Sequence, residues 1–585
     1  MKRLLFTLFA FSLLLGSAFS QDDPVTASMS HYFRTPPVEP GIHNIVLQNR
    51  CGNRLTIMMN DSNTGLEFTY KPNAYRRKDL WARNFSNRDN YTSLFDKVSF
   101  PFIQASYVKD FGYDPFLTVL KTEAPSLAKN NLSFLNLADE NAFIVTATSP
   151  LLIAIKPKVK FNIRNGLLTE SFVERGEHIV SYIKFPGYSK SRFRMLKDGT
   201  VVLQLMENDV VIFGGEENMH QVDRVVNRFD GMTFAQISDQ NEVFLENALN
   251  RSGFVYNNED FQRVLDINKR IVYSAFDEGG AVNGALARIY YLIWNRDGSM
   301  SSSLMAMAGM PDLIKLWAPF ILHNPTWILT DPVTGKRSPE YLQILGTRWT
   351  KSEDDGIYYA LLSVYTHYMT TGSDKLIKSQ DFDRLLQAID RFIGKTWEAD
   401  KKMVGSDTRG ETSLRSSPFY GYDAVNGFMY TDLKESDVEH TTLSRSYSLY
   451  NQVNTYNLLR MVMILMEQDP DFDGVRHDKY MVIAGDLENT IKTTFKDDKG
   501  FLYAGLEKMS DGTEHWRRFE RGADYWEYAW AVSLGPFFPA LDLQIESARM
   551  TRKTWPGIRS YGYCPWNTLA GFLYEYGMSS DDYND

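Results

Sequence analysis

The stretch Asp355-Gly-Ile-Tyr-Tyr-Ala-Leu-Leu-Ser-Val-Tyr-Thr-His-Tyr-Met-Thr-Thr371, followed by a second helical run near 378–397, decides the reading of the larger part of the chain. The two runs form a helical hairpin with a short link. Long segments flank it, near 325–354 and 398–441. The pattern repeats outward. Helices are expected near 259–276, 298–309, 312–324, 442–467, 476–495, 523–535, 540–551 and 563–577, with further long loops near 496–522 and 552–562. These loops are rich in Trp, Tyr, Arg and acidic residues, and loops this long inside a compact domain are usually functional. Helical hairpins whose long loops share one end follow the logic of an (α/α) toroid. Its pocket would lie where the loops converge.

Upstream the pattern changes. From about Ile42 to Phe229 it is that of strands, rich in β-branched residues, as in Ala142–Thr148, Leu151–Pro157 and Val201–Leu205. Turn-like stretches such as Asn165-Gly166 and Lys197-Asp-Gly199 separate them. Short strands at this spacing predict a large antiparallel sandwich. The expected organisation is a β-sandwich domain over 21–236 and a helical catalytic domain over 237–585. Residues 1–20 read as a signal peptide. Lys2 and Arg3 open it, an apolar run spans Leu4 to Leu15, and Ala18-Phe19-Ser20 precedes Gln21. The apolar run is short for a membrane span, so an exported protein, periplasmic or secreted, is expected.

Composition narrows the class. With 585 residues the chain is long enough for two domains. A net charge of −9, without long single-sign runs, argues against a nucleic-acid partner, which needs a clustered basic face. Aromatic residues reach 14%. A large core would account for them, and so would sugar binding, since a flat ring stacks on the apolar face of a pyranose while its polar tip stays wet. Only Cys51 and Cys564 are present, too few and too far apart for a metal site. Neither a metal nor a cofactor is expected.

Glycosidic bonds are usually cut by two carboxyl groups, and sugars are held by Arg, Asp and Trp side chains. Two constellations stand out. Tyr290-Tyr291-Leu-Ile-Trp294-Asn295-Arg296-Asp297-Gly298 precedes an apolar helix, and adjacent Arg and Asp there can grip neighbouring hydroxyls. Arg348-Trp349, followed by Glu353-Asp354-Asp355-Gly356, opens another. Acids at helix starts also serve simply to balance the helix dipole, and that reading stays open.

On these residues the helical half resembles glycoside hydrolase family 15, the glucoamylase-like enzymes. Tyr290, Tyr291, Trp294, Arg296 and Asp297 match that family's Tyr-Tyr-x-x-Trp-x-Arg-Asp segment. Glu353-Asp354-Asp355-Gly356 resembles its Gln-x-Asp-Gly segment, with Glu in place of Gln. Gly522 through Leu534-Gly-Pro-Phe-Phe-Pro539 to Pro565-Trp566-Asn567 also follows the family's pattern. The resemblance covers roughly 256–578. It implies an (α/α)6 barrel, an N-terminal β-sandwich as in bacterial members, and inverting attack on glucosyl linkages of an oligosaccharide or polysaccharide. Substrate contacts are expected from Tyr291, Trp294, Arg296, Asp297, Arg348, Trp349, Asp355, Arg559 and Trp566.

The chemistry departs from the family pattern. Where that family has Trp-Glu-Glu, this chain reads Lys402-Met-Val-Gly-Ser406-Asp407-Thr-Arg409-Gly-Glu411. Asp407 is the preferred general acid and Glu411 the second candidate. In the family the base sits between the eleventh and twelfth helices, whereas the pattern here reaches what reads as the tenth. Either helices near 237–254 complete the ring and the base comes from another loop, or the base is absent. Glu520, among Arg517, Arg518 and Arg521, is the candidate base, since arginines would keep it ionised. It reads equally as a salt-bridge partner. Two rival classes remain. One is a phosphorolytic enzyme on the same barrel, with Arg517, Arg518 and Arg559 for phosphate. The other is a polysaccharide lyase, for which His323, His440 and His515 are the sparse bases, or a non-catalytic glycan-binding protein.

Overall fold

A computed structural model describes, apart from short breaks, residues 43–71, 94–249, 259–276, 295–340, 355–406, 443–518, the hairpin 422–429 and Phe537. The described residues fall into two compact units. The first draws on residues up to Phe254 and from Leu265 to Tyr291, the second on Val255–Val264 and from Leu292 onward.

The first unit holds two antiparallel sheets. One runs β1 (His43–Gln48), β2 (Arg54–Met59), β3 (Leu66–Lys71), β4 (Lys97–Phe100), β9 (Leu151–Lys156), β14 (Val201–Leu205) and β13 (Phe193–Met195). The other runs β10 (Asn162–Arg164), β11 (Leu167–Glu174), β12 (Glu177–Lys184), β15 (Val211–Glu216), β8 (Ala142–Ala147), β7 (Asn130–Asn136), β6 (Leu117–Thr122) and β5 (Val108–Tyr113). Their apolar faces share one core. Leu55, Phe100, Ile153 and Leu203 of the first sheet cluster with Phe134, Phe143, Val145 and Phe213 of the second. Phe143 and Phe213 stack at 4.8 Å.

Side-chain parity explains the unbroken apolar runs. In β8, Phe143 and Val145 face the sandwich core, while Ala142 and Ile144 face a second cluster on the opposite side. Helix α1 (Met219–Phe229) covers that second side with Val222, Val225, Val226 and Phe229. A strand buried on both faces has no polar side to show. Asn165 and Gly166 both take positive φ in the turn joining β10 to β11, the geometry a two-residue hairpin requires.

Two differences from expectation concern boundaries. The region read as strands to Phe229 ends in α1, whose buried residues recur at helical spacing and whose N-cap is Asn218. The next helix, α2 (Phe234–Leu249), packs with the sheets, its Asn241 accepting from the buried Ala138 N at 2.8 Å. Arg224 grips the buried Glu140 through both nitrogens, at 2.8 and 2.9 Å, tying α1 to the β7–β8 turn. In helix α3 (Glu259–Ala275), Arg270 bridges Asp114 and Glu242.

The second unit is helical. Its described helices are α4 (Asn295–Met307), α5 (Pro311–His323), α6 (Gly356–Thr371), α7 (Gln380–Thr396), α8 (Leu449–Met466) and α9 (Gly474–Thr493). They form three hairpins in sequence order. α4 packs on α6 and α6 on α8, while α5, α7 and α9 each pack on the helix before them in the hairpin. The two sets differ as burial requires. In α6 every residue from Gly356 to His367 is buried, and α8 is buried along nearly its whole length. By contrast α7 buries one stripe, Phe382, Leu385, Leu386, Ile389 and Ile393, and α9 buries Tyr480, Ile483, Leu487 and Ile491. Inner helices are enclosed and outer helices amphipathic.

The long connections carry small sheets. Trp327–Thr330 pairs with Arg337–Glu340, Trp397–Glu398 with Met403–Val404, and Tyr422–Asp423 with Phe428–Met429. Leu443–Ser448 pairs with Tyr503–Met509, which pairs with Glu514–Arg518. A helix was expected from 442, but residues 443–448 are a strand. The helix starts at Leu449, where Ser448 accepts from Asn451 N. The helices expected near 523–535, 540–551 and 563–577 lie outside the described residues.

Candidate active site

The first turns of the three inner helices meet. Asn295 at the start of α4 donates through Nδ2 to the Gly356 carbonyl at the start of α6, at 2.6 Å. One residue on, Arg296 donates from Nε and Nη2 to Oδ2 of Asp355, at 2.9 and 2.8 Å. Tyr450, in the first turn of α8, donates to the same oxygen at 2.7 Å. Tyr359 lies 3.1 Å from the Tyr450 hydroxyl, whose proton is engaged with Asp355, so Tyr359 is the donor there. The Arg296 guanidinium sits 5.9 Å from the centre of the Tyr359 ring.

Burial gives this cluster its weight. The Arg296 side chain is 7% exposed and that of Asp355 is 0%. A cation at a helix N-terminus meets the positive end of the helix dipole, and a buried unpaired charge costs several kcal/mol, roughly. Pairing with the Asp355 carboxylate offsets that cost for Arg296. Asp355 occupies the N-cap position of α6 but makes no side-chain cap hydrogen bond. Its oxygen is turned to Arg296 and Tyr450 instead. Burial, reinforced by the Asp355 carboxylate, pushes the Tyr450 phenol well above its ordinary range, so it stays a donor.

Packing behind the cluster joins α5 to α4 and α6. Trp317 of α5 donates from Nε1 to Ser299 Oγ (3.0 Å) on α4 and Ser363 Oγ (3.1 Å) on α6. Gly298 makes this possible, because a Cβ there would overlap the Trp317 ring. On the other side, Gln452 of α8 holds the Val404 backbone at two points. Val404 N donates to Gln452 Oε1 at 2.7 Å, and Gln452 Nε2 donates to Val404 O at 2.8 Å. Two residues later Ser406 pairs with Ser446, by backbone bonds of 2.7 and 2.8 Å. The root of the segment 407–442 is thus joined to the strand leading into α8. Beside it, Glu398 accepts from Tyr447 at 2.6 Å and pairs with Arg445.

Of the residues singled out from sequence, Arg296 and Asp355 are brought together. Asp297 lies on α4, but its side chain is outside the described residues, as are Asp407, Glu411, Glu520, Tyr291, Trp294, Arg348, Trp349, Arg559 and Trp566. Among the lyase candidates, His323 is 74% exposed and pairs with Asp381 at the end of α5, while His515 is exposed on Glu514–Arg518. His440 is outside the described residues. Tyr450 and Tyr359 were not anticipated. Their signal was position: Tyr359 lies one helical turn after Asp355, and Tyr450 opens a helix after a long loop, as Arg296 and Asp355 do. Among the described residues no group of three or more His, Cys, Asp or Glu is placed to hold a metal, and no helix is long and apolar enough to cross a membrane.

No family model matches the chain, and no curated protein does. Solved structures similar to it include a putative kojibiose phosphorylase from human microbiome, at 12% identity and TM-score 0.42, covering 81% of this chain and 72% of that one. A bacterial glucoamylase complexed with acarbose is similar at 11% identity and TM-score 0.41, covering 80% and 72%. A rhamnosidase from Klebsiella oxytoca with rhamnose bound is similar at 8% identity and TM-score 0.32, covering 93% and 85%. Each of these names describes an enzyme acting on sugars. Similarity of this degree assigns the chain to none of them.

Proposed function

We propose that the chain is an exported carbohydrate-active enzyme, a glycoside hydrolase whose sugar site lies at the N-terminal ends of the inner helices. The observation that carries this reading is the buried Arg296–Asp355 pair, set where three helix starts and the roots of two long loops meet. The described helices supply three inner–outer hairpins, as half of an (α/α)6 barrel would. In this reading Arg296 and the neighbouring Asp297 hold sugar hydroxyls by charged hydrogen bonds. Asp407 follows the anchored Ser406 and serves as the general acid, with Glu411 as the second candidate and Glu520 as the base. The substrate is an oligosaccharide or polysaccharide with glucosyl or related linkages. Export follows cleavage near Ser20.

The test is a panel of gluco-oligosaccharides of differing linkage, with chromatography of products in the presence and absence of inorganic phosphate. Hydrolysis gives free sugars in both. Sugar phosphates formed only with phosphate would move the reaction to phosphorolysis. An unsaturated product absorbing in the near ultraviolet would make it a lyase, and no product from any substrate would remove the enzymatic reading.

A further inference from the structure

The sugar-holding role given to Arg296 depends on where its guanidinium is held, and that is decided by its bonded partner Asp355. Among the described residues, the Asp355 Oδ2 atom accepts from Nε and Nη2 of Arg296 and from the hydroxyl of Tyr450. The first two come from α4 and the third from α8. Tyr450 is buried, and its ring is fixed by the enclosed first turn of α8. Its hydroxyl is in turn the acceptor for Tyr359. Two phenols in series therefore end on one carboxylate oxygen. Such a chain polarises along its length, and it fixes the carboxylate against rotation about its last bond. Ser448, which caps α8, and Gln452, which grips Val404, fix the turn that carries Tyr450.

We propose that Tyr450 is a positioning residue for sugar recognition, acting through Asp355 to hold the Arg296 guanidinium in its binding orientation. This rests on the functional reading above. Tyr450 donates to Asp355 and, on this proposal, acts through it, so its loss should weaken the grip on the sugar more than it slows the chemistry. A uniform weakening of binding raises KM and leaves kcat little changed.

The experiment compares wild type, Tyr450→Phe and Ser363→Ala in the full-length protein, well below the onset of unfolding. Ser363→Ala is a control of similar burial. It removes a hydroxyl hydrogen-bonded to Trp317 and to the Tyr359 carbonyl, away from the carboxylate. Turnover is measured on the best substrate from a maltotriose, kojibiose and isomaltotriose series, and affinity by calorimetry with 1-deoxynojirimycin as a glucose mimic. Tyr450→Phe should raise KM and the dissociation constant of the mimic together, by about tenfold, the scale of one hydrogen bond to a charged group, with kcat within about threefold. Ser363→Ala should leave KM near the wild-type value. Equal KM in wild type and Tyr450→Phe overturns the proposal. So do a KM change matched by Ser363→Ala and a Tyr450→Phe protein that cannot fold, since either makes the role purely structural. If wild type neither turns over these sugars nor binds the mimic, the functional reading fails instead, and the proposal with it.

Discussion

Asp355 stands at the cap of its own helix yet spends its carboxylate on Arg296 of another, at 2.8 and 2.9 Å. An acidic residue at a helix start ordinarily accepts from the helix's own free N–H groups. Here the pairing crosses between two inner helices, with the Asp355 carboxylate fully enclosed and the Arg296 side chain 7% exposed. Such a pair is weak evidence for stability, because desolvation offsets its attraction.

Breaking the pair should nevertheless be costly. Asp355→Ala removes the carboxylate that pairs with the buried Arg296 charge, which should lower unfolding free energy by about 3–5 kcal/mol. Replacing both, Arg296→Met with Asp355→Leu, should restore most of that loss while abolishing sugar turnover. Urea unfolding of the two variants checks this. A double variant no more stable than Asp355→Ala would mean that the site tolerates no apolar pair.

Gly298 predicts a second effect. A methyl group at this position meets the Trp317 ring, which is fully buried and shares its one N–H between Ser299 and Ser363. Gly298→Ala should therefore destabilise by about 1–3 kcal/mol as an overpacking change, despite the better helix propensity of alanine. A thermal melt higher than wild type would show that α4 and α5 separate without cost.

Gln452 acts at the root of a loop. Gln452→Leu keeps the volume and removes both bonds to the Val404 backbone. Leaving a buried N–H and C=O unpaired costs about 1–3 kcal/mol each. The expected result is faster hydrogen exchange at the Val404 and Ser406 amides than at those of α7. Unchanged protection at Val404 would mean that the strand Met403–Val404 is held by its pairing with Trp397–Glu398 alone.

Much of this was readable in the sequence. The apolar run Ala142–Ala147 announces a strand covered on both faces, and α1 proves to be the second cover. The helical hairpins show in the contrast between the enclosed run Gly356–His367 and the striped run Phe382–Ile393. The start of α8 was harder. Ser444, Ser446 and Ser448 are all acceptable caps, and only pairing with the distant strand Tyr503–Met509 extends the chain to Ser448. Reading the helix from 442 placed Tyr450 well inside it, so its place in the first turn, beside Asp355, went unseen. The Ser406–Ser446 bridge spans a long loop, and no local pattern encodes it.

The acid assignment makes a separate prediction. A poor sugar leaving group needs a proton in the transition state, and a nitrophenolate needs little help. Asp407→Asn should slow oligosaccharide turnover by about 10²–10⁴-fold while sparing much of the activity on an aryl glycoside. Glu411→Gln, measured side by side, ranks the two carboxyls. Equal loss on both substrates, or loss on neither, removes Asp407 as the donor.

The central claim is that the Arg296–Asp355 pair belongs to a sugar site, and Arg296→Lys tests it most directly. Lysine keeps the charge beside Asp355 but gives up the planar array of donors. The kcat/KM of this variant on its best oligosaccharide, measured at a temperature where it is fully folded, should fall by at least about tenfold, the loss of one charged hydrogen bond of about 1.5–3 kcal/mol. An Arg296→Lys protein with undiminished kcat/KM and the same products would contradict the account.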